Sequence, residues 1–486
     1  MRDLGKWQFI SFVSRAVAMV IGIVQSFVII RILTVSEWGL VQLAVSIGGA
    51  LGIYQHLGLA SASTREISSA KNDSEIFKIF VTSLFIRYVV TLPIAFLLFI
   101  FAGKIANDLY SHPELTLPLK IYAVSLVFQG MQSITNSVIS GTKRFRQLFS
   151  YQVIIAFISL LIYIPLIYKF RIDGYFYAFM LFNIVNSVIL GIIAFAPIKG
   201  SLKIPTKKDF TRLLKEIFSI SLGIYLVKIL TTNWEKLGPN MLGLYNSPEV
   251  IAMFSFAVLY SKKILSISDS VTDVSLPVLS EKFTQDISEF KNTFVKNFDK
   301  VFSLIILAAT YAAYWAPEII EIVVGGDKYQ GAYVLIPPIL LAFVVYSLLD
   351  IAKSSILIPA KLTKHMVASF FVLLLVTGIA FALSNSYFGY LTSMSWAMAV
   401  GGITALIYLV FMVKRKLNFI FFGIDHIVLL FQSFVIGWAG IHSMLLLKAL
   451  AFVPLLVLSL YAVKIPGYFV FNDIIFIKKF VKAKND

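Results

Sequence analysis

The feature that most constrains this chain is a succession of long apolar runs, most of them about 20 residues in length. A helix of that length spans the hydrocarbon core of a bilayer. The runs are continuous rather than alternating, which argues against a transmembrane β-barrel. Only 14% of the residues are charged, whereas a soluble protein carries about 25%. The sequence therefore predicts an all-α polytopic membrane protein.

Fourteen transmembrane helices are predicted, six before and eight after a basic hydrophilic stretch at 197–216. Connections between them are short, so no extramembrane domain is expected. The predicted spans are 8–33, 38–62, 77–102, 116–140, 148–169, 174–197, 216–238, 249–277, 298–323, 333–359, 365–385, 390–413, 425–446 and 449–470.

The predicted organisation is two pseudo-symmetric six-helix bundles plus two C-terminal helices. Short sequence similarities support a repeat, because residues 74–78 (SEIFK) parallel 288–291 (SEFK), and the turn at 137–143 parallels that at 355–361. Six spans per copy means that both copies insert the same way up. The predicted divisions are an N-terminal bundle at 1–197, a cytoplasmic linker at 198–215, a C-terminal bundle at 216–414, two extra helices at 415–471 and a basic amphipathic tail at 472–486.

Lysine and arginine are concentrated in alternate loops, including the linker and the tail. The cytoplasmic loops of membrane proteins carry this excess, so both termini are expected to be cytoplasmic. The net charge of +17 therefore reflects membrane orientation, and a nucleic-acid partner is not expected. The chain has no cysteine, which leaves its redox compartment open.

Several ionisable residues lie inside the predicted spans. Each costs about 3 kcal/mol or more if it faces lipid, so it must face a wet cavity, find a partner or reach the interface. Asp350 and Lys353 are one helical turn apart and are expected to neutralise each other. Lys262 and Lys263 are adjacent, so at least one is expected to reach the interface.

Four cations remain after these are discounted: Arg15, Arg87, Lys228 and one of the adjacent pair, taken as Lys262. They come from spans 1 and 3 of one half and spans 7 and 8 of the other. The excess of positive charge predicts an anionic ligand between the two halves. The alternative for each residue is a structural role, in which a carbonyl or hydroxyl group satisfies a buried side chain.

Signals of catalysis are missing. The sequence has no P-loop, no GxSxG and no pair of histidines at metal-ligand spacing, so neither an enzyme nor a metal site is predicted. His56 is the one histidine deep enough in a span to suggest a protonation switch, but a satisfied helix-end histidine is the favoured interpretation. If a proton or sodium ion is coupled to function, Asp350 and Asp269 are the candidate sites; no other cofactor is expected.

Residues 31–40 (RILTVSEWGL) and 57–65 (LGLASASTR) resemble the start of the polysaccharide-biosynthesis, or O-antigen repeat-unit, flippases of the multidrug/oligosaccharidyl-lipid/polysaccharide (MOP) superfamily. The resemblance extends over essentially the whole chain. Later landmarks are 241–245 (MLGLY), 277–280 (PVLS), 324–329 (VGGDKY), 360–361 (AK) and Asp473 with the basic helix after it.

This resemblance implies a MATE-like V of two bundles in the cytoplasmic membrane. The implied activity is translocation of a polyprenyl-pyrophosphate-linked oligosaccharide, of the undecaprenyl type, by alternating access. Arg15, Arg87, Lys228 and Lys262 would then hold the pyrophosphate or sugar acids. Membrane lipids and a glycan polymerase are the expected partners.

Three alternatives stay open. A cation-coupled multidrug exporter of the same superfamily would need deep carboxylates, whereas the mid-span charges here are mainly basic. A lipid II flippase is related, but its arginine-rich first-helix pattern is not evident, since span 1 offers only Arg15 at depth. A membrane glycan polymerase or ligase commonly has a large outer loop, which this chain lacks.

Overall fold

A computed structural model of the protein describes residues 2–198, 204–263 and 286–463, together with Leu279 and Phe283. The side chain of Arg15, the carboxylate of Asp269 and the predicted tail at 472–486 lie outside the described part. Within the described residues the secondary structure is helical and no strand occurs. Six helices there are long and apolar enough to cross a membrane, or up to eight if each of two bent pairs is one span. The all-α polytopic membrane fold is thus confirmed.

Packing divides the chain into two compact units, Met1–Ser255 and Phe256–Asp486. The predicted division at the linker 198–215 stays a prediction. Helix α7, which follows that linker, packs on α2, α3 and α4 and belongs to the first unit. The first unit contains α1 (Arg2–Ile32), α2 (Val35–Gly52), α3 (Leu59–Ser69), α4 (Asp73–Lys104), α5 (Thr116–Gly141), α6 (Phe145–Phe195), α7 (Lys207–Tyr245) and the start of α8 (Pro248–Lys262).

In the second unit, the structure describes the end of α8, the two isolated residues Leu279 and Phe283, and the chain from 286 to 463. Each of the fourteen predicted spans overlaps one of the helices in the two units. The helices are α9 (Ile287–Tyr314), α10 (Ala316–Ile320), α11 (Ile336–Ala352), α12 (Thr363–Phe388), α13 (Tyr390–Leu417), α14 (Ile424–His442) and α15 (Leu445–Val463).

Predicted span 2, taken as one helix over 38–62, is broken. Helix α2 ends at Gly52, a short 3-10 turn covers Ile53–Gln55, and α3 begins at Leu59 with a bend of 43°. Leu57 and Gly58 have φ values of 47° and 69°, in the left-handed region that a regular helix cannot accommodate. The predicted span crosses this break because an apolar pattern does not specify the backbone conformation of single residues such as Leu57 and Gly58.

Predicted spans 5 and 6 form a tight hairpin within α6. The helix is interrupted only at Arg171, with φ 56° and ψ −126°, and the ring of Tyr163 packs against Phe182 across the turn. Arg171 makes a two-pronged ion pair with Glu37 at 2.7 and 3.1 Å. Glu37 also caps α2 through the backbone N–H of Thr34, so one carboxylate holds the hairpin to the start of α2.

Two local features recur in the two units, in agreement with the predicted repeat. Asn72 caps the start of α4, and Asp286 caps the start of α9. Lys143 after α5 and Lys361 after α11 both adopt the left-handed conformation, with φ of 57° and 55°.

Helices α14 and α15 of the second unit pack on α9. Asp299 of α9 accepts a hydrogen bond of 3.0 Å from His426 of α14, and Lys448 of α15 donates to both carboxylate oxygens of Glu318 at 2.7 and 2.9 Å. Lys448 is only 1% exposed and lies beneath the ring of Trp315. A hydrogen bond to a buried carboxylate therefore holds α14 to α9, and an ion pair holds α15 to the residues that follow α9.

Gly39 is expected to be indispensable for packing in the first unit. A Cβ atom at Gly39 would lie 1.8 Å from the carbonyl oxygen of Pro248, so α2 and the start of α8 must separate in Gly39→Ala. We expect a destabilisation of about 1–3 kcal/mol in thermal unfolding of the detergent-solubilised protein. Gly22→Ala is the matched control, because a Cβ there meets nothing within 4 Å, and an unfolding temperature lowered equally in both variants would contradict the packing.

Glu318→Gln should destabilise the docking of α15, because it leaves the buried ammonium of Lys448 without its counter-charge. Removing one partner of such a pair lowers the free energy of unfolding by about 3–5 kcal/mol when both charges are buried. Because the Glu318 side chain is 22% exposed, we expect a loss near the lower end of that range. The double variant Glu318→Gln/Lys448→Met should recover most of the loss. Equal stability of the single variant and the unmodified protein would show that the pair contributes nothing.

Candidate anion site at the break between α2 and α3

Arg87 lies near the middle of α4, about 21 Å from the start of the helix and about 26 Å from its end at 1.5 Å per residue. Its side chain is fully buried, with 0% exposure. An arginine at that depth is an expensive feature of a membrane helix and marks a functional site unless a partner explains it.

The partners of Arg87 are neutral. One terminal nitrogen, Nη1, donates to the hydroxyl of Ser133 on α5 at 3.3 Å, and Nη2 lies 3.2 Å from Nδ1 of His56. The third nitrogen, Nε, is buried and has no hydrogen-bond partner in the described structure. A guanidinium carries five N–H donors, so much of its hydrogen-bonding capacity is unused here.

The other buried lysine, aspartate and histidine side chains in the described residues each have an acidic or hydrogen-bonding partner. Lys448 forms an ion pair with Glu318, and Asp299 accepts a hydrogen bond from His426. Within the same part of the chain, no carboxylate forms an ion pair with Arg87. Arg87 is thus a buried cation whose charge is not compensated by any carboxylate in the part of the chain that the structure describes.

The break in span 2 builds the surroundings of Arg87. It places His56 against the guanidinium and buries Gln55, whose Oε1 accepts a hydrogen bond of 3.1 Å from Thr91. Gly130 on α5 makes the close approach possible, because a Cβ there would lie 3.3 Å from Gln55 Oε1 and 3.5 Å from Arg87 Nε.

Helix α7 brings a second cation to this region. Tyr225 donates a hydrogen bond of 2.9 Å to the carbonyl oxygen of Tyr54, within the break. Lys228, one turn further along α7, is close enough for its charge to act on His56. The Lys228 side chain is exposed and forms no ion pair among the described residues. A buried guanidinium contacts this histidine, and an exposed ammonium lies near enough to act on it.

The remaining predicted site residues are distributed differently. Arg15 lies in α1, but its side chain is outside the described part, as is all of Asp269. Lys262 is the exposed last residue of α8 and belongs to the second unit. Asp350 forms an ion pair with Lys353, which confirms the predicted neutralisation. Of the four predicted cations, Arg87 and Lys228 both lie in the first unit, in the region of His56.

Sequence reasoning missed Gln55 and Ser133 and undervalued His56. It also missed a buried amide network beside the site, in which Gln132 of α5 donates to Ser187 and accepts from Asn186. The available signal was the presence of amides within apolar runs, which a list of charged residues alone does not capture. The network ties α5, and with it Ser133, to α6.

The arrangement is suited to an anion. Hydrogen bonds between charged partners are the strongest ones a protein makes, and an arginine fork matches the oxygens of a phosphate group. Ser133, Tyr225 and Gln55 add polar groups but no negative charge that would repel such a ligand. Fold and site together define a polytopic membrane protein with a buried, positively charged polar centre in its first unit.

The chain belongs to the family described as polysaccharide biosynthesis protein, whose model matches residues 28–334. The matched region is more than half of the chain and includes the broken span, Arg87 and Lys228. No curated protein matches the sequence significantly.

Solved structures show the same fold at low sequence identity. A lipid II flippase, MurJ, in an inward closed conformation is 16% identical with a TM-score of 0.68, covering 96% of this chain and 99% of its own. An inward-facing multidrug resistance MATE family transporter of the MOP superfamily is 13% identical with a TM-score of 0.66, covering 84% and 98%. A MOP superfamily transporter from Pyrococcus furiosus is 15% identical with a TM-score of 0.56, covering 85% and 94%. The predicted family and MATE-like fold are confirmed.

Stability separates a functional role of Arg87 from a structural one. Replacing an uncompensated buried charge with an apolar side chain of similar length removes a desolvation penalty, so Arg87→Met should leave stability unchanged or raise it by about 1–2 kcal/mol. The control is Arg144→Met, which removes hydrogen bonds to Thr142 and to the carbonyl groups of Ile193 and Ala194, and should lose about 1–3 kcal/mol. Thermal unfolding in nanodiscs measures both, and a large loss in Arg87→Met would indicate a structural residue.

Proposed function

We propose that this protein is a flippase that carries a polyprenyl-pyrophosphate-linked oligosaccharide across the cytoplasmic membrane by alternating access. The observation that carries the proposal is the buried Arg87, which contacts His56 at the helix break and has no carboxylate partner among the described residues, with the exposed Lys228 near the same histidine. Membership of the polysaccharide biosynthesis family supports a glycan as part of the substrate. The structural likeness to transporters supports translocation rather than catalysis.

The pyrophosphate is the part of the substrate that this site would recognise. Lys228 is exposed and meets the anion first, and Arg87 engages it when the α2–α3 break rearranges and the guanidinium leaves its contact with His56. The unused Nε–H of Arg87 gives the bound state a hydrogen bond that the empty state lacks. Binding energy therefore becomes available only after the conformational change, which is how a transporter links binding to movement.

The other predicted cations and the topology are part of the same proposal. Arg15 and Lys262 would contact the pyrophosphate or acidic sugars, and the loops rich in lysine and arginine would keep both termini in the cytoplasm. Membrane lipids surround the helices, and a glycan polymerase is the proposed consumer of the flipped unit. If transport is coupled to a proton or to Na⁺, Asp350 and Asp269 are the candidate ion-binding sites. Asp350 already forms an ion pair with Lys353.

A lipid II flippase is the second candidate, since MurJ aligns over nearly the full length of both chains. Lipid II also contains a pyrophosphate, so the same cations would serve. The multidrug exporter is less well supported, because a cationic drug requires an uncompensated carboxylate, and among the described residues Glu318 and Asp350 each form an ion pair with a lysine.

Flipping in proteoliposomes tests the proposal directly. The probe is a fluorescent polyprenyl-pyrophosphate disaccharide, and externally added dithionite reports the fraction that faces outward. Lys228→Gln should slow flipping about tenfold or more, because one charge-assisted contact contributes about 1.5–3 kcal/mol, while Lys228→Arg should retain most of the rate.

Lys215→Gln is the matched control for Lys228→Gln, since Lys215 is an exposed lysine on the same helix, and it should flip normally. Unimpaired flipping in Lys228→Gln would overturn the role of Lys228. Fluorescent lipid II provides the second arm: faster flipping of lipid II than of the disaccharide probe would favour the second candidate.

A further inference from the structure

The contact between Arg87 and His56 determines the charge of the histidine. A guanidinium is always protonated and can only donate, so Nδ1 of His56 must accept the hydrogen bond at 3.2 Å. A histidine that accepts at Nδ1 is neutral and carries its proton on Nε2. In this arrangement His56 therefore has no positive charge.

The charged groups that face His56 among the described residues are both cations. Helix α4 presents Arg87 and Tyr88, helix α7 presents Tyr225 and Lys228, and helix α5 presents only the hydroxyl of Ser133. No carboxylate pairs with these cations among the described residues. A proton on His56 would add a third positive charge to two that are already there.

An anion reverses this balance. When it takes over the guanidinium of Arg87 and the ammonium of Lys228, Nδ1 loses its hydrogen-bond donor and the two positive charges are neutralised. The lone pair on Nδ1 is then free to accept a proton from water. The two residues after His56, Leu57 and Gly58, have left-handed backbones, so His56 lies at the point where the span can bend.

We propose that His56 is a proton-binding site coupled to anion binding, which takes up one proton when a pyrophosphate group binds Arg87 and Lys228. The inference rests on the proposed function, because it assumes that this site receives a pyrophosphate. It moves the coupling site from Asp350 and Asp269 to the helix break. Protonated His56 offsets part of the negative charge that crosses the membrane, and by thermodynamic linkage acid conditions tighten anion binding.

Other histidines in the described residues have different partners. His426 accepts a hydrogen bond from the Gly423 N–H at Nδ1 and donates from Nε2 to Asp299, so it contacts a carboxylate and no arginine. His365 on α12 is partly buried and lies 3.4 Å from the hydroxyl of Tyr408, away from any buried arginine contact. His365 is therefore a suitable control.

The test uses the full chain in lipid nanodiscs with methylenediphosphonate, a stable analogue of pyrophosphate, as the probe. Calorimetry at pH 7 in two buffers of different ionisation enthalpy gives the protons taken up per ligand bound. We expect the unmodified protein and His365→Gln to take up nearly one proton more than His56→Gln, which keeps an acceptor for Arg87 but cannot be protonated. The affinity of the unmodified protein should rise about tenfold more than that of His56→Gln between pH 8 and pH 6.

A second readout needs no variant. The ring ¹⁵N resonances of His56 should change from those of a neutral imidazole to those of an imidazolium when the ligand is added at pH 7. Ligand binding that requires Arg87 but leaves these resonances and the proton count unchanged would overturn the inference and preserve the proposed function. Binding that is absent, or that survives in Arg87→Gln, would overturn both.

Discussion

The uncompensated charge of Arg87 is the constraint on which the account of this protein depends. A cation in the middle of a membrane helix is stable only if the surrounding helices exclude lipid and supply hydrogen-bond acceptors. Here Ser133 and His56 supply two acceptors and Nε is left without one. The protein thus retains a group that is costly in the empty state, as is common where binding and stability compete.

Close packing of the first unit makes such a site rigid enough to be selective. The two-pronged contact between Glu37 and Arg171 holds the α6 hairpin to the start of α2, and Gly39 allows α2 to meet Pro248. On the other side, the amides around Gln132 fix α5 against α6 and so position Ser133. The break at Leu57 and Gly58 lies between these packed regions, which places an interruption of the helix next to the charge.

Sequence patterns predicted the helices well and their interruptions poorly. Each apolar run became a helix because helices satisfy the backbone within the chain, which is a local property. The break in span 2 and the hairpin at Arg171 depend on partners far away in sequence, such as Arg87 and Glu37, which a single run does not show. Arg87 and Lys228 were identified as cations that need an explanation, but their common neighbour His56 became evident only when α2, α4 and α7 were placed together. The candidate coupling residue Asp350 was found to be engaged with Lys353.

A structure of the full chain in nanodiscs with a bound polyprenyl pyrophosphate tests the central claim most directly. The account predicts density for the pyrophosphate within hydrogen-bond distance of the Arg87 guanidinium and the Lys228 ammonium, with the contact between Arg87 and His56 broken. A pyrophosphate bound elsewhere, with Arg87 still buried against His56 and Ser133, would contradict it.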